Sequence, residues 1–203
     1  MSSDPAGVLS LRSPWADTHP GRRGHTLDPA GLTVTLLEPT IRLGLEPWPA
    51  EQTSLEHALG QLTGCRLPPA GRSSMSDGVT VLSTAPGRWQ VLLEGPKAAE
   101  RHPLLLAALR GQAAVIDLTH GFALLGLAGP AAVTTLNQLV RIDLHMEVFP
   151  PGAVSATELH GMAVQLRRLT VDCFQLAVAT SFAHSLLHAI VTAGAAKGVT
   201  IER

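Results

Sequence analysis

From residue 32 onward, apolar and polar positions fall into short, regularly patterned blocks. LTVTLL at 32–37 and IRLGL at 41–45 alternate with a period of two, as half-buried strands do. EQTSLEHALGQL at 51–62 changes to helical spacing, with Leu55, Leu59 and Leu62 on one face and Gly64 as the stop. A loop with Pro68, Pro69 and Gly71 leads to strands at 79–83 and 89–93, separated by a turn at Pro86-Gly87. Residues 97–110 read as a helix ended by Gly111, with Pro103 a candidate kink, and 113–118 as a buried strand. The order then recurs. A strand at 122–127 precedes a helix at 130–140 with Pro130 in its first turn. After a Pro150-Pro151-Gly152 loop come strands at 154–159, 163–169 and 174–179. A helix at 181–193, stopped by Gly194, and a short strand at 199–201 close the chain.

The recurrence has a near-constant spacing. Leu43-Gly44-Leu45 stands 82 residues before Leu125-Gly126-Leu127, Pro68-Pro69 82 before Pro150-Pro151, and Trp89-Gln90 85 before Phe174-Gln175. The expected architecture is therefore α+β: two ferredoxin-like βαββαβ halves related by internal duplication, with helices on one face of each sheet. The halves are expected at 32–118 and 119–203, and the strand at 154–159 has no place in the scheme. Residues 1–31, rich in Pro, Gly, Arg and Ser without periodicity, are expected to form an extended or disordered arm.

Composition narrows the partners. Charged residues make up 15% of the 203, against a typical ~25%, while apolar content is an ordinary 45%. A surface this poor in charge implies that part of it belongs to another protein. Fifteen basic against sixteen acidic residues give no electrostatic footprint for nucleic acid. Three per cent aromatic content with no tyrosine leaves no base-stacking platform. No apolar run approaches the ~20 residues of a membrane span. The N-terminus lacks the charged and apolar regions of a secretory leader, so a cytoplasmic location is expected. Cys65 and Cys173 are too few and too far apart for a disulfide framework or a CxxC metal site.

A search for chemistry finds no catalytic, cofactor-binding or metal constellation. His184 and His188 share a helix face, but Ser185 stands where a zinc protease carries its glutamate, and they read as polar positions of an amphipathic helix or an interface. His120, His145 and His160 sit at strand ends and read as turn or capping residues, as do Asp117 and Asp143. There is no GxSxG elbow and no GxGxxG turn. The segment expected to meet a partner is 143–152. Phe149 lies beside Pro150 and Pro151, which hold the backbone extended, and Asp143 and His145 supply polar contacts at the edge.

VIDLTHGFALLGLAGPAAVTTLNQLVRIDLH, VFPPGAVSATEL and CFQLAVATSFAHSLLHAI, with STAPGRWQVLLEG as a weaker piece, resemble the gamma subunits of heterotetrameric sarcosine oxidases. Asp143-Leu144-His145 followed by Val148–Gly152 and Thr157 is the most specific stretch. The resemblance implies the fold of the folate-binding part of aminomethyltransferases and a non-catalytic small subunit. Its complex, with alpha, beta and delta partners, oxidatively demethylates an N-methyl amino acid. FAD, FMN, NAD and tetrahydrofolate are then expected in other subunits and none in this chain. The alternative is a free-standing folate-binding protein related to the aminomethyltransferases. Against it stand the missing tyrosine of one such group's Lys-Gly-Cys-Tyr motif and the expected lack of a C-terminal barrel domain.

Overall fold

A computed structural model describes residues 13–25 and 30–203. The first unit runs β3 (Ile41–Pro47), α1 (Gln52–Thr63), β4 (Arg72–Ser76), β5 (Val79–Ala85), β6 (Arg88–Leu93), α2 (Ala98–Leu109) and β7 (Ala113–Asp117). The second repeats the order with β8 (Phe122–Ala128), α3 (Ala132–Leu136), β9 (Val154–Leu159), β10 (Met162–Arg168), β11 (Cys173–Ala179), α4 (Ala183–Gly194) and β12 (Val199–Glu202). Two earlier strands, β1 (Gly21–Arg23) and β2 (Leu32–Leu37), complete the chain.

The first sheet has the order β4-β5-β6-β3-β7 and the second β1-β12-β2-β8-β11-β10-β9. The series β7-β3-β6-β5 is the strand order of a split βαβ fold, with β4 added at its edge. The second sheet keeps that series, with β9 in the edge position and β2 inserted between β8 and β12. The strand at 154–159 thus finds its place, paired antiparallel with β10. Its counterpart β4 has no alternating signal in the sequence, because RSSMS lies on an edge and buries none of its five residues. The Asp77-Gly78 pair that joins β4 to β5 does announce a hairpin. Both residues have positive φ, 40° and 74°, as a two-residue primed turn requires.

Two boundaries differ from the sequence expectation. LTVTLL at 32–37 belongs to the second sheet, pairing antiparallel with β8 and parallel with β12. Its inward residues Leu32, Val34 and Leu36 fill the second core, and alternation alone does not tell a strand which sheet to join. Residues 13–25 are part of the folded body rather than a detached arm. Trp15 is fully buried, its indole N–H donates to the Leu37 carbonyl at 3.1 Å, and β1 pairs with β12. One large aromatic anchors a segment whose polar composition hides it. The rest of the expected arm, at 1–12 and 26–29, lies outside the described residues, while 30–31 leads directly into β2.

Each sheet is covered on one face by its helices. Leu55, Leu59, Leu105 and Leu109 of α1 and α2 pack on Leu43, Val79, Val81, Val91 and Leu93. Leu136, Leu186, Leu187 and Ile190 of α3 and α4 pack on Leu125, Leu127, Val164, Phe174 and Leu176. The uncovered faces meet each other through a small apolar patch, Leu82, Leu92 and Val154, and a polar seam. Arg42 donates to Gln90 and Gln165 at 3.1 and 3.0 Å and lies 4.8 Å above the Phe122 ring. Burial pushes its pKa down to about 10, the neighbouring Glu94 opposing the shift.

Candidate functional site

The expected partner segment is a loop hung from one guanidinium. Arg168, at the end of β10, is buried and donates only to backbone carbonyls. Its Nη1 reaches Leu144 and Phe149 at 2.8 Å each, its Nε reaches Thr170 at 3.1 Å, and its Nη2 reaches Val171. The planar fork satisfies several carbonyls at once and ties the 143–152 loop to the 169–172 turn. Phe174 packs beneath it, 4.9 Å from ring centre to guanidinium carbon.

Of the five expected residues, Asp143, His145 and Pro151 are exposed and Pro150 is half-buried. Asp143 accepts the His145 backbone N–H at 2.8 Å, which shapes the turn. Phe149 points inward. At 6% exposure it plugs the second core, so its ring offers nothing to a partner. Its neighbours are turned outward instead: Val148 is 58% and Val171 61% exposed, with Met146 and Leu169 beside them in sequence. Both residues lie in a turn whose backbone N–H groups donate to the His145 carbonyl, and Arg168 holds the Phe149 carbonyl at its inner side.

The other candidates stay apart. Among the described residues no group of three or more His, Cys, Asp or Glu is placed to hold a metal ion. Asp117 accepts the Thr119 backbone N–H at 2.9 Å, and that residue's hydrogen bonds hold its carboxyl below the ordinary value, as a turn residue's should be. Burial raises the thiols of both Cys65 and Cys173, which disfavours the nucleophilic thiolate. No helix among the described residues is long and apolar enough to cross a membrane.

His184 and His188, which share a helix face, line an open cavity of about 820 Å³ beside α4. Leu139, Met162, Phe182, His184 and His188 are among its lining residues. Its lining residues include no Asp, Glu, Lys or Arg.

Comparison with known proteins decides the family. Residues 66–201 match the GCVT N-terminal domain family. The chain is also 32% identical over 170 residues to the sarcosine oxidase subunit gamma of Corynebacterium sp. (strain U-96), covering 79% of this chain and 78% of that one. The chain belongs to the sarcosine oxidase gamma-subunit family. Its fold agrees with that membership. A chain of the heterotetrameric sarcosine oxidase from Corynebacterium sp. U-96, solved in complex with pyrrole 2-carboxylate, superposes with a TM-score of 0.73 at 25% identity. That match covers 91% of this chain and 94% of the other. The glycine cleavage system aminomethyltransferase T from Bartonella henselae shares the fold, with a TM-score of 0.57 at 15% identity. It matches 85% of this chain but only 48% of its own length. The aminomethyltransferase-like α+β fold is thus that of a gamma-subunit family member.

Proposed function

We propose that the protein is the small, non-catalytic subunit of a cytoplasmic heterotetrameric complex that oxidatively demethylates an N-methyl amino acid. Its partners are the alpha, beta and delta chains of that complex, and the flavins, NAD and tetrahydrofolate belong to those chains. Its work is to stabilise the flavin-containing subunits. The observation that carries this reading is a likeness to a gamma subunit that spans nearly four fifths of both chains. The Arg168-anchored platform supports it by offering exposed Val148 and Val171 on a braced loop, which is how obligate interfaces hold apolar contacts.

Co-expression with the companion subunits tests the proposal. The tagged chain is expected to bring down the larger chains in fixed stoichiometry with bound flavin, and to turn over no sarcosine when isolated. A chain that stays monomeric at micromolar concentration in their presence, or that oxidises sarcosine alone, contradicts it.

A further inference from the structure

Two consecutive arginines at the end of β10 turn to opposite faces of the sheet, and only one of them is satisfied. Arg168 packs on Phe174 of the second core, and backbone carbonyls take up its Nε, Nη1 and Nη2. Arg167 turns into the seam between the two sheets and is 8% exposed. Its Nε is buried with no acceptor. Its Nη1 lies 3.5 Å from the Thr80 hydroxyl oxygen, at the limit of a hydrogen bond, and its Nη2 lies 3.8 Å from the Met75 sulfur, a weak acceptor.

Charge in the seam is matched as poorly. Met75, Thr80, Leu92 and Arg42 stand opposite one another across β4, β5, β6 and β3, so a second buried cation shares the row. Arg42 is taken up by Gln90, Gln165 and the Phe122 ring. Among the described residues no carboxylate forms an ion pair with either arginine. Burial pushes the pKa of Arg167 down as it does that of Arg42, and Glu94 is the acid whose field opposes both shifts. A buried charge without a counter-ion is costly.

The unused donors are not scattered. Nε and Nη2 lie along one edge of the planar guanidinium, the edge that gives two parallel hydrogen bonds to the oxygens of a carboxylate. Over that edge lies Met75, 70% exposed on the outer strand β4. A flexible thioether on an edge strand moves into solvent by side-chain rotation alone. The Thr80 hydroxyl beside it accepts from Nη1 and keeps its own proton to donate.

We propose that the Nε–Nη2 edge of Arg167 is a binding site for a carboxylate. The carboxylate displaces the Met75 sulfur, pairs with both nitrogens and supplies the counter-charge that the seam lacks. It is carried by a free small molecule or by an acidic side chain of a larger subunit, and the recognition is the same in both cases. The site lies wholly in this chain and does not rest on the subunit reading.

The arginine Nε–H signals of the isotope-labelled free chain test it, with formate as the probe and chloride at equal ionic strength as the reference. The signal assigned to Arg167 by its loss in Arg167→Met is expected to move downfield and saturate with formate, and to stay in place with chloride. Met75→Ala, which uncovers the edge, is expected to lower the half-saturating concentration. Arg167→Met puts an apolar side chain where an unpaired charge was buried, so it is expected to keep or raise the thermal midpoint. A signal that formate does not move, or moves no further than chloride does, overturns the proposal. The assembled complex then separates the two sources. If a companion's side chain supplies the carboxylate, formate and Arg167→Met each weaken assembly, the substitution roughly tenfold or more. If a free molecule supplies it, neither does. If no complex forms with the wild-type chain, the formate result stands by itself and it is the subunit reading that fails.

Discussion

Each unit has a corner where its first helix, a hairpin tip and the start of its last helix converge, and the two corners are finished differently. At the first, a 12-residue helix reaches a hairpin and an acidic turn residue is held by two cations. At the second, a shorter helix runs on as a looser turn to Val140, and the same positions carry a histidine, His160, and a half-exposed phenylalanine, Phe182. A fold that closes one corner with its own chain has no geometric need to leave the other open. The difference leaves the second unit the more open of the two at this corner. The connections between β10 and β11 point the same way. Pro86-Gly87 makes a tight turn in the first unit, whereas residues 169–172 form a longer loop braced by Arg168 in the second.

The sharpest way to break the comparison is a matched pair of truncations. Leu59 of α1 is fully buried, and its counterpart by element order, Leu139, is buried but lines the open cavity beside α4. In urea unfolding of the free chain, Leu59→Ala is expected to cost about 3–4 kcal/mol and Leu139→Ala about 1–2 kcal/mol, because only the first leaves a sealed cavity. Equal losses would mean that the second corner is as closed as the first. Arg168→Lys keeps the charge but loses the planar fork, leaving buried carbonyls of the loop unpaired. A loss of about 2 kcal/mol is expected in the same assay, with faster proteolysis confined to 143–152 and 169–172. Cleavage that is unchanged there would show that Arg168 does not organise the platform.

The smallest effect is electrostatic. Hydrogen bonds from Arg101 and Lys97 hold the Asp77 carboxyl below its ordinary 3.8. Its contribution is therefore complete above the unfolded value and lost as pH falls through the depressed folded one. Asp77→Asn should lower the thermal midpoint slightly at pH 7, and the gap should close below about pH 4. A gap that persists in acid would show that the turn itself, not the ion pairs, accounts for the change.

Much of this was legible in residues 32–203. Alternation located nearly every central strand, helical spacing found the long helices, and the paired motifs Pro68-Pro69 and Pro150-Pro151 announced two units of like order. What stayed hidden has physical causes. β2 carries the right pattern for either sheet, and only packing assigns it. Edge strand β4 needs no apolar alternation, so RSSMS reads as loop, although Asp77-Gly78 marked its turn. Trp15 was the one clue that the early segment folds back. The loop at 143–152 was legible from its prolines, but the carbonyls of Leu144 and Phe149 are held by Arg168, nearly twenty residues away, so the sidedness of Val148 and Phe149 was not. The helix expected at 130–140 is regular only over Ala132–Leu136, although i→i+4 bonds from Asn137 and Val140 carry its winding further.

Amide hydrogen exchange on the free chain and on the assembled complex compares the two regions directly. The account predicts slowed exchange on assembly at 144–148 and 169–173, with 76–79 and 97–103 unchanged. Protection that falls on the first corner and spares those loops would contradict it.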